Sequence, residues 1–78
     1  MKAKILTNSN SLLTMFRLGA IEGELVNSKN FDEVFNNSVS DDNLAILIIT
    51  KSVYKDNKMQ IKNFRKDRSM PLIVIIDG

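Results

Sequence analysis

Two short, near-continuous apolar runs constrain this chain most: LAILIIT, Leu44–Thr50, and LIVIID, Leu72–Asp77. Runs of this length, rich in isoleucine, suit strands buried on both faces, the environment of a parallel sheet. Both are far too short to span a bilayer. Parallel neighbours must be joined by a crossover, and the polar segment between the runs supplies one. In Ser52–Ser69, Tyr54, Ile61 and Phe64 recur at about helical spacing. The pair Asp56-Asn57 is expected to break that helix into two pieces, and Pro71 to stop it.

The first half of the chain repeats the alternation. KAKILT, Lys2–Thr7, reads as a short strand. SLLTMFRLG follows, with Leu12, Leu13, Phe16 and Ala20 at helical spacing; Ser9 or Ser11 is placed to cap its start. Gly19 is expected to mark its end through a positive φ. GELV, Gly23–Val26, is a weaker strand. NFDEVFNNSV is a clearer helix, with Asn30 in the cap position, Asp32 and Glu33 in the first turn, and Phe31, Val34 and Phe35 forming a face. The order β-α-β-α-β-α-β predicts an α/β fold: a small flavodoxin-like, Rossmann-like parallel sheet of strand order 2-1-3-4 with helices on both faces.

With 78 residues the chain makes one domain, 1–78, and a domain this small buries only about 60% of its unfolded surface. The last strand ends the chain at Gly78, where the layer rule calls for a further covering element. The expectation is therefore that residues 1–78 are the N-terminal globular part of a slightly longer chain, or that a partner covers the strand. An uncovered last strand would also favour self-association.

Composition narrows function. There is no cysteine, histidine or tryptophan. Disulfides and thiolate metal sites are excluded, and the most versatile acid/base, nucleophile and zinc-ligand side chains are missing. The expectation is no catalytic residue, no metal and no cofactor. The net charge of +2 is unevenly placed: residues 1–50 carry four Lys/Arg against six Asp/Glu, and residues 51–78 seven against three. No signal peptide is visible, since the opening Lys2-Ala3-Lys4 is followed by only two apolar residues, which predicts a cytoplasmic protein without direct membrane insertion.

Ligands of such folds sit beyond the carboxyl ends of the strands, where strand order reverses. TNSNS, Thr7–Ser11, offers hydroxyls and amides there but has no glycine for backbone approach to a pyrophosphate, and Ser and Asn at this place are ordinary caps. Thr50-Lys51-Ser52 resembles the end of a phosphate loop without its glycines. A receiver-type phosphorylation site needs acidic residues that Asn8, Ser9 and Thr50 do not supply. The basic segment with Lys55, Lys58, Lys62, Arg65, Lys66 and Arg68 reads as the solvated face of a helix, because its aromatics Tyr54 and Phe64 fit the core stripe; no nucleic-acid partner is expected. Arg17, between Phe16 and Leu18, is turned about 100° from its neighbours on a helix. It is either a surface arginine or an interface anchor.

FRLGAIEGELV, Phe16–Val26, resembles the helix-to-strand junction of the F subunit of the V-type (A/V-type) ATPases and ATP synthases. That family reads Phe-Arg-Leu, a small pair that includes Gly, an aliphatic and Glu; here Phe16-Arg17-Leu18 and Ile21-Glu22 stand in those places. LAILIIT and MPLIVIIDG are similar to its third and fourth strands. Departures are Asn8-Ser9 for the family's Gly-Asp, Gly19-Ala20 for its usual Ala-Gly, Lys51 for Glu and Asp77 for Pro. The resemblance also implies a further C-terminal helix, and a rotor role in the central stalk without catalysis. It implies direct contact with the coiled-coil D subunit of the V-type ATPase, and indirect contact with the catalytic A/B head and the stalk base. On this reading Phe16, Arg17, Leu18, Gly19, Ile21 and Glu22 shape a docking surface, and the protein joins the membrane only through the complex. The competing expectation is a small phosphate- or nucleotide-binding flavodoxin-like domain using Thr7–Ser11 and Thr50–Ser52.

Overall fold

Four parallel strands pair in the order β2-β1-β3-β4, as the alternation predicts, in a computed structural model that describes residues 2–78. The strands are β1 (Lys2–Thr7), β2 (Glu22–Leu25), β3 (Leu44–Thr50) and β4 (Leu72–Ile76). The helices are α1 (Asn10–Leu18), α2 (Phe31–Val39), α3 (Lys51–Asp56) and α4 (Lys58–Asp67). Asn57 breaks the polar segment into α3 and α4 where expected; its side-chain amide donates to the Val53 carbonyl at 2.9 Å.

The connection from β1 to β2 runs one way across the sheet, and those from β2 to β3 and β3 to β4 run the other way. Because crossovers keep one hand, the reversal puts α1 on one face and α2–α4 on the other. The second face holds the main core. Phe31, Val34, Phe35, Ser38 and Val39, the buried stripe of α2, meet Leu6, Leu47, Ile49, Val53, Ile61 and Ile73. Phe35 stacks on Phe31 at 5.2 Å and takes the edge of Phe64 at 5.5 Å. Ser38 lies in this core with its hydroxyl donating to the Val34 carbonyl at 2.7 Å, so among the described residues no buried hydroxyl is left without a partner.

On the first face α1 presses Leu13 onto β1 and β2. A methyl group at Gly23 would lie 2.6 Å from Leu13 Cδ1 and 2.7 Å from Ile5 Cγ2, so the helix and strand approach closely because this strand residue has no side chain. Ser9 caps α1, its hydroxyl accepting from the Leu12 amide at 3.3 Å.

Three expectations are corrected. Gly19 has φ −87, and the positive φ falls instead on Ala20, at 64. Gly19 still donates to helical carbonyls, so the chain reverses one residue later, where the Ala20 amide returns to Arg17 and the Ile21 amide to Phe16. Asn30 takes the N-cap position of α2 as expected, but its side chain makes no capping bond to the helix. Its Oδ1 accepts from the Asn27 amide at 2.7 Å and its Nδ2 donates to the Leu25 carbonyl, tying the helix start to the end of β2. Finally, β3 and β4 are not buried on both faces. Leu47, Ile49 and Ile73 are buried, but Ile46 is 38% exposed, Leu72 56% and Val74 36%. α1 packs chiefly on β1 and β2, and Ile46, Leu72 and Val74 stay exposed on its side of the sheet.

Candidate functional site

The segment Phe16–Glu22 closes α1 and enters β2. Phe16 and Ile21 are half-buried, while Arg17, Leu18, Gly19 and Glu22 are exposed. The alternation follows from helical geometry: Leu13 and Phe16 point at the sheet, so Arg17 turns to the flank and Leu18 to solvent, 84% exposed. Among the described residues no carboxylate lies within ion-pair range of Arg17.

A depression of about 450 Å³ wraps round the outer edge of β2, lined by Lys4, Arg17, Ala20, Ile21, Glu22, Gly23 and Glu24. Its polar walls are partly neutralised: Lys4 Nζ is 2.8 Å from Glu24 Oε1, and Lys2 reaches Glu22 at 3.9 Å and Asp41 at 2.8 Å. The Lys2 hydrogen bond, followed by one from the Asn43 amide, holds the Asp41 carboxyl below its ordinary 3.8. Lys2 is raised above 10.5 by its hydrogen bond to Asp41, then by the charges of Asp41 and Glu22. Among the described residues, Arg17 is thus the cation of this edge left free. Of the six residues expected at a docking surface, Arg17, Ile21 and Glu22 line the depression, with Leu18 beside them on the crest of α1. Phe16 faces inward, and Gly19 serves the turn.

Lys4, Gly23 and Glu24 belong to this edge without having been expected there. Gly23 carried a signal, since a glycine inside a strand marks a close approach. Lys4 and Glu24 become partners only through the β1–β2 register, which sets Leu6 opposite Glu24 and Lys4 opposite Glu22.

At the carboxyl ends of the strands the polar loops bond to each other. The Thr7 hydroxyl accepts from the Ser9 amide, Thr50 donates to Thr7 at 3.4 Å, and Ser52 donates to Asn8 at 3.0 Å. The cleft beside them, about 550 Å³, is lined by Asn8, Val26, Asn27, Ser28, Asp32, Val53, Asp56 and Asn57. It presents two carboxylates and no cation, an electrostatic environment that repels a phosphate. Two exposed arginines of the basic segment bond to main-chain carbonyls: Arg65 donates to the Ile73 carbonyl at 2.7 Å, and Arg68 reaches the Val39 carbonyl and lies 5.2 Å over the Phe64 ring. Tyr54 and Phe64 pack on the core, so neither is a free stacking platform. Among the described residues no helix is long and apolar enough to cross a membrane.

The fold is a small parallel α/β domain with an open, polar depression at the free edge of β2. The chain belongs to the family described as ATP synthase (F/14-kDa) subunit, whose model matches residues 5–78. No curated protein and no solved structure matched the chain.

Proposed function

We propose that this chain is the non-catalytic F subunit of the central stalk, or rotor, of a V-type or A-type ATPase or ATP synthase. It docks on the coiled-coil D subunit and thereby joins the machinery that couples ATP hydrolysis or synthesis to ion transport. The docking surface is the Phe16–Glu22 segment, and contact with the catalytic head and stalk base runs only through that coiled coil.

The observation that carries this reading is α1 itself. A nine-residue surface helix with a single charge, Arg17, exposes Met15 and Leu18 to solvent. Charge depletion with Met and Arg present is the composition of an interface core, and arginine is enriched among anchoring residues. The Arg17 guanidinium, with no carboxylate partner among the described residues, stands beside the exposed Leu18. Together they supply one polar and one apolar anchor on a rigid element.

Co-expression with the D subunit of the same source, followed by size-exclusion chromatography with light scattering, tests the proposal. A 1:1 complex is expected. Arg17→Glu and Leu18→Asp should each weaken it roughly tenfold or more, the scale of anchoring residues. A complex that tolerates both changes would move the docking surface elsewhere. No complex, or ATP turnover by the purified chain alone, would overturn the stalk reading.

A further inference from the structure

Lys58, Lys62 and Lys66 stand at i, i+4 and i+8 on α4, and all three are exposed. At that spacing each lysine is turned about 40° from the last, so the three form one row roughly 12 Å long. Like charges at i, i+4 repel, and the repulsion destabilises a helix. Among the described residues no carboxylate lies in ion-pair range of any of the three. The row therefore weakens α4 without a compensating partner on this chain.

The row is also narrow. Arg65, on one side of it, is committed to the Ile73 carbonyl at 2.7 Å. Met59 and Asn63 lie on the other side, and Met59 is 71% exposed. The break between α3 and α4 adds a hollow of about 350 Å³, lined by Lys55, Asp56, Asn57, Lys58, Met59 and Gln60. The surface thus offers aligned cations, an exposed apolar side chain next to them, and a shallow seat where the row begins.

These features select among anionic partners. A nucleic-acid duplex or a lipid surface is broad. It would press like charge onto Asp56 and Asp67, which flank the row in sequence, and onto Asp32 and Glu33, exposed at the start of α2 on the same side of the sheet. A helix is as narrow as the row. Carboxylates at i, i+4 and i+8 on a partner helix form a ridge of the same pitch, which runs along the lysine row when the two axes cross at about 50°. An aliphatic residue beside those carboxylates meets Met59, the kind of side chain enriched at interfaces. Among the described residues no helix of this chain carries carboxylates at that spacing, so a second copy does not supply the ridge. We propose that the outer face of α4 binds an acidic amphipathic helix of another protein, with Asp or Glu at i, i+4 and i+8 and an aliphatic side chain beside them. The row lies on the opposite side of the sheet from α1, so this contact is separate from Phe16–Glu22 and does not rest on the stalk reading.

The probe is a synthetic helical peptide with Glu at i, i+4 and i+8 and Leu beside them, compared with a peptide of the same composition whose Glu residues are spread round the helix. Fluorescence anisotropy of each labelled peptide, titrated with the chain at low salt, should show several-fold tighter binding of the aligned peptide, weakening as salt rises. Lys62→Glu should lower that affinity about tenfold. Lys29→Glu, the same charge change at an exposed site outside the row, should lower it less than about twofold. Glutamate at position 62 pairs with the lysines four residues before and after it, so the variant keeps its fold, which circular dichroism checks. Equal affinity for the two peptides, no binding, or equal losses in the two variants would overturn the proposal. Tighter binding of a short DNA duplex, or of phosphatidylglycerol vesicles, at the same salt would overturn it in favour of a phosphate surface. Loss of peptide binding in a version lengthened past Gly78 would overturn it in favour of a segment of the same polypeptide.

Discussion

The amide of Ile21 donates to the carbonyl of Phe16 at 2.9 Å, and inside that bond the amide of Ala20 donates to Arg17, also at 2.9 Å. This nested pair ends α1 and requires a left-handed residue between helix and strand. Ala20 occupies that position at φ 64.

Ala20→Gly is therefore expected to stabilise the fold. A left-handed alanine costs about 1–2 kcal/mol, and the extra freedom of glycine in the unfolded chain offsets about 0.5–1 of it. The expected net gain is about 0.5–1 kcal/mol, read as a higher urea midpoint at constant slope. Gly19→Ala adds a methyl group whose nearest neighbour is a carbonyl at 3.5 Å, an ordinary contact at an ordinary φ. The double variant, which has the order Ala-Gly, should keep the gain. Equal or lower stability of Ala20→Gly would show that the turn does not strain the alanine.

Gly23→Ala should act in the opposite direction. The new methyl meets Leu13 Cδ1 at 2.6 Å and the Ile5 carbonyl at 3.2 Å, so α1 must lift or Leu13 must change rotamer. Overpacking of this kind costs about 1–3 kcal/mol. Because Leu13 is the buried anchor of α1, amide exchange in α1 should speed up more than in α2. Uniform exchange would argue against a lifted helix.

Arg65→Ala should expose the β4 edge. The guanidinium bond to the Ile73 carbonyl disappears, leaving an apolar edge strand without its polar guard. The expected result is concentration-dependent association by light scattering, with a monomer persisting for Lys62→Ala. A monomeric Arg65→Ala would mean that the bond does not protect the edge.

The Lys2–Asp41 pair sets the pH response. Asp41 titrates below 3.8 in the fold, so its contribution is complete above that pH and is lost as the pH falls through the lowered value. Lys2 titrates above 10.5, so its contribution is complete below that pH and is lost as the pH rises through the raised value. Between the two, this pair leaves stability flat. The pair is solvent-exposed, so the effect should be small and weakened by salt. Comparing Asp41→Asn with the unsubstituted chain across pH checks this; a difference that varied near neutral pH would point to another group.

Much of this protein was legible because its signals are local. The spacing of Phe31, Val34, Phe35 and Val39 defines α2 without reference to anything distant. Leu44–Thr50 reads as a strand from its own composition, and Asp56-Asn57 reads as a break. Even the exposure of Arg17 could be read, because it must turn away from whatever face Phe16 and Leu13 choose.

The sequence by itself determined the order of elements, the parallel sheet, the absence of thiol and imidazole chemistry, and the family likeness of Phe16–Val26. Tertiary structure alone decided that Gly23 receives Leu13, that Lys4 meets Glu24 at the β2 edge, that Asn30 ties back to Leu25, and that Ala20 takes the left-handed turn. It also decided that Ile46, Leu72 and Val74 of β3 and β4 stay uncovered. An apolar run records that a strand avoids water, but not which neighbour excludes it. That depends on the common hand of the crossovers, which places α1 over β1 and β2 and leaves Ile46, Leu72 and Val74 facing solvent.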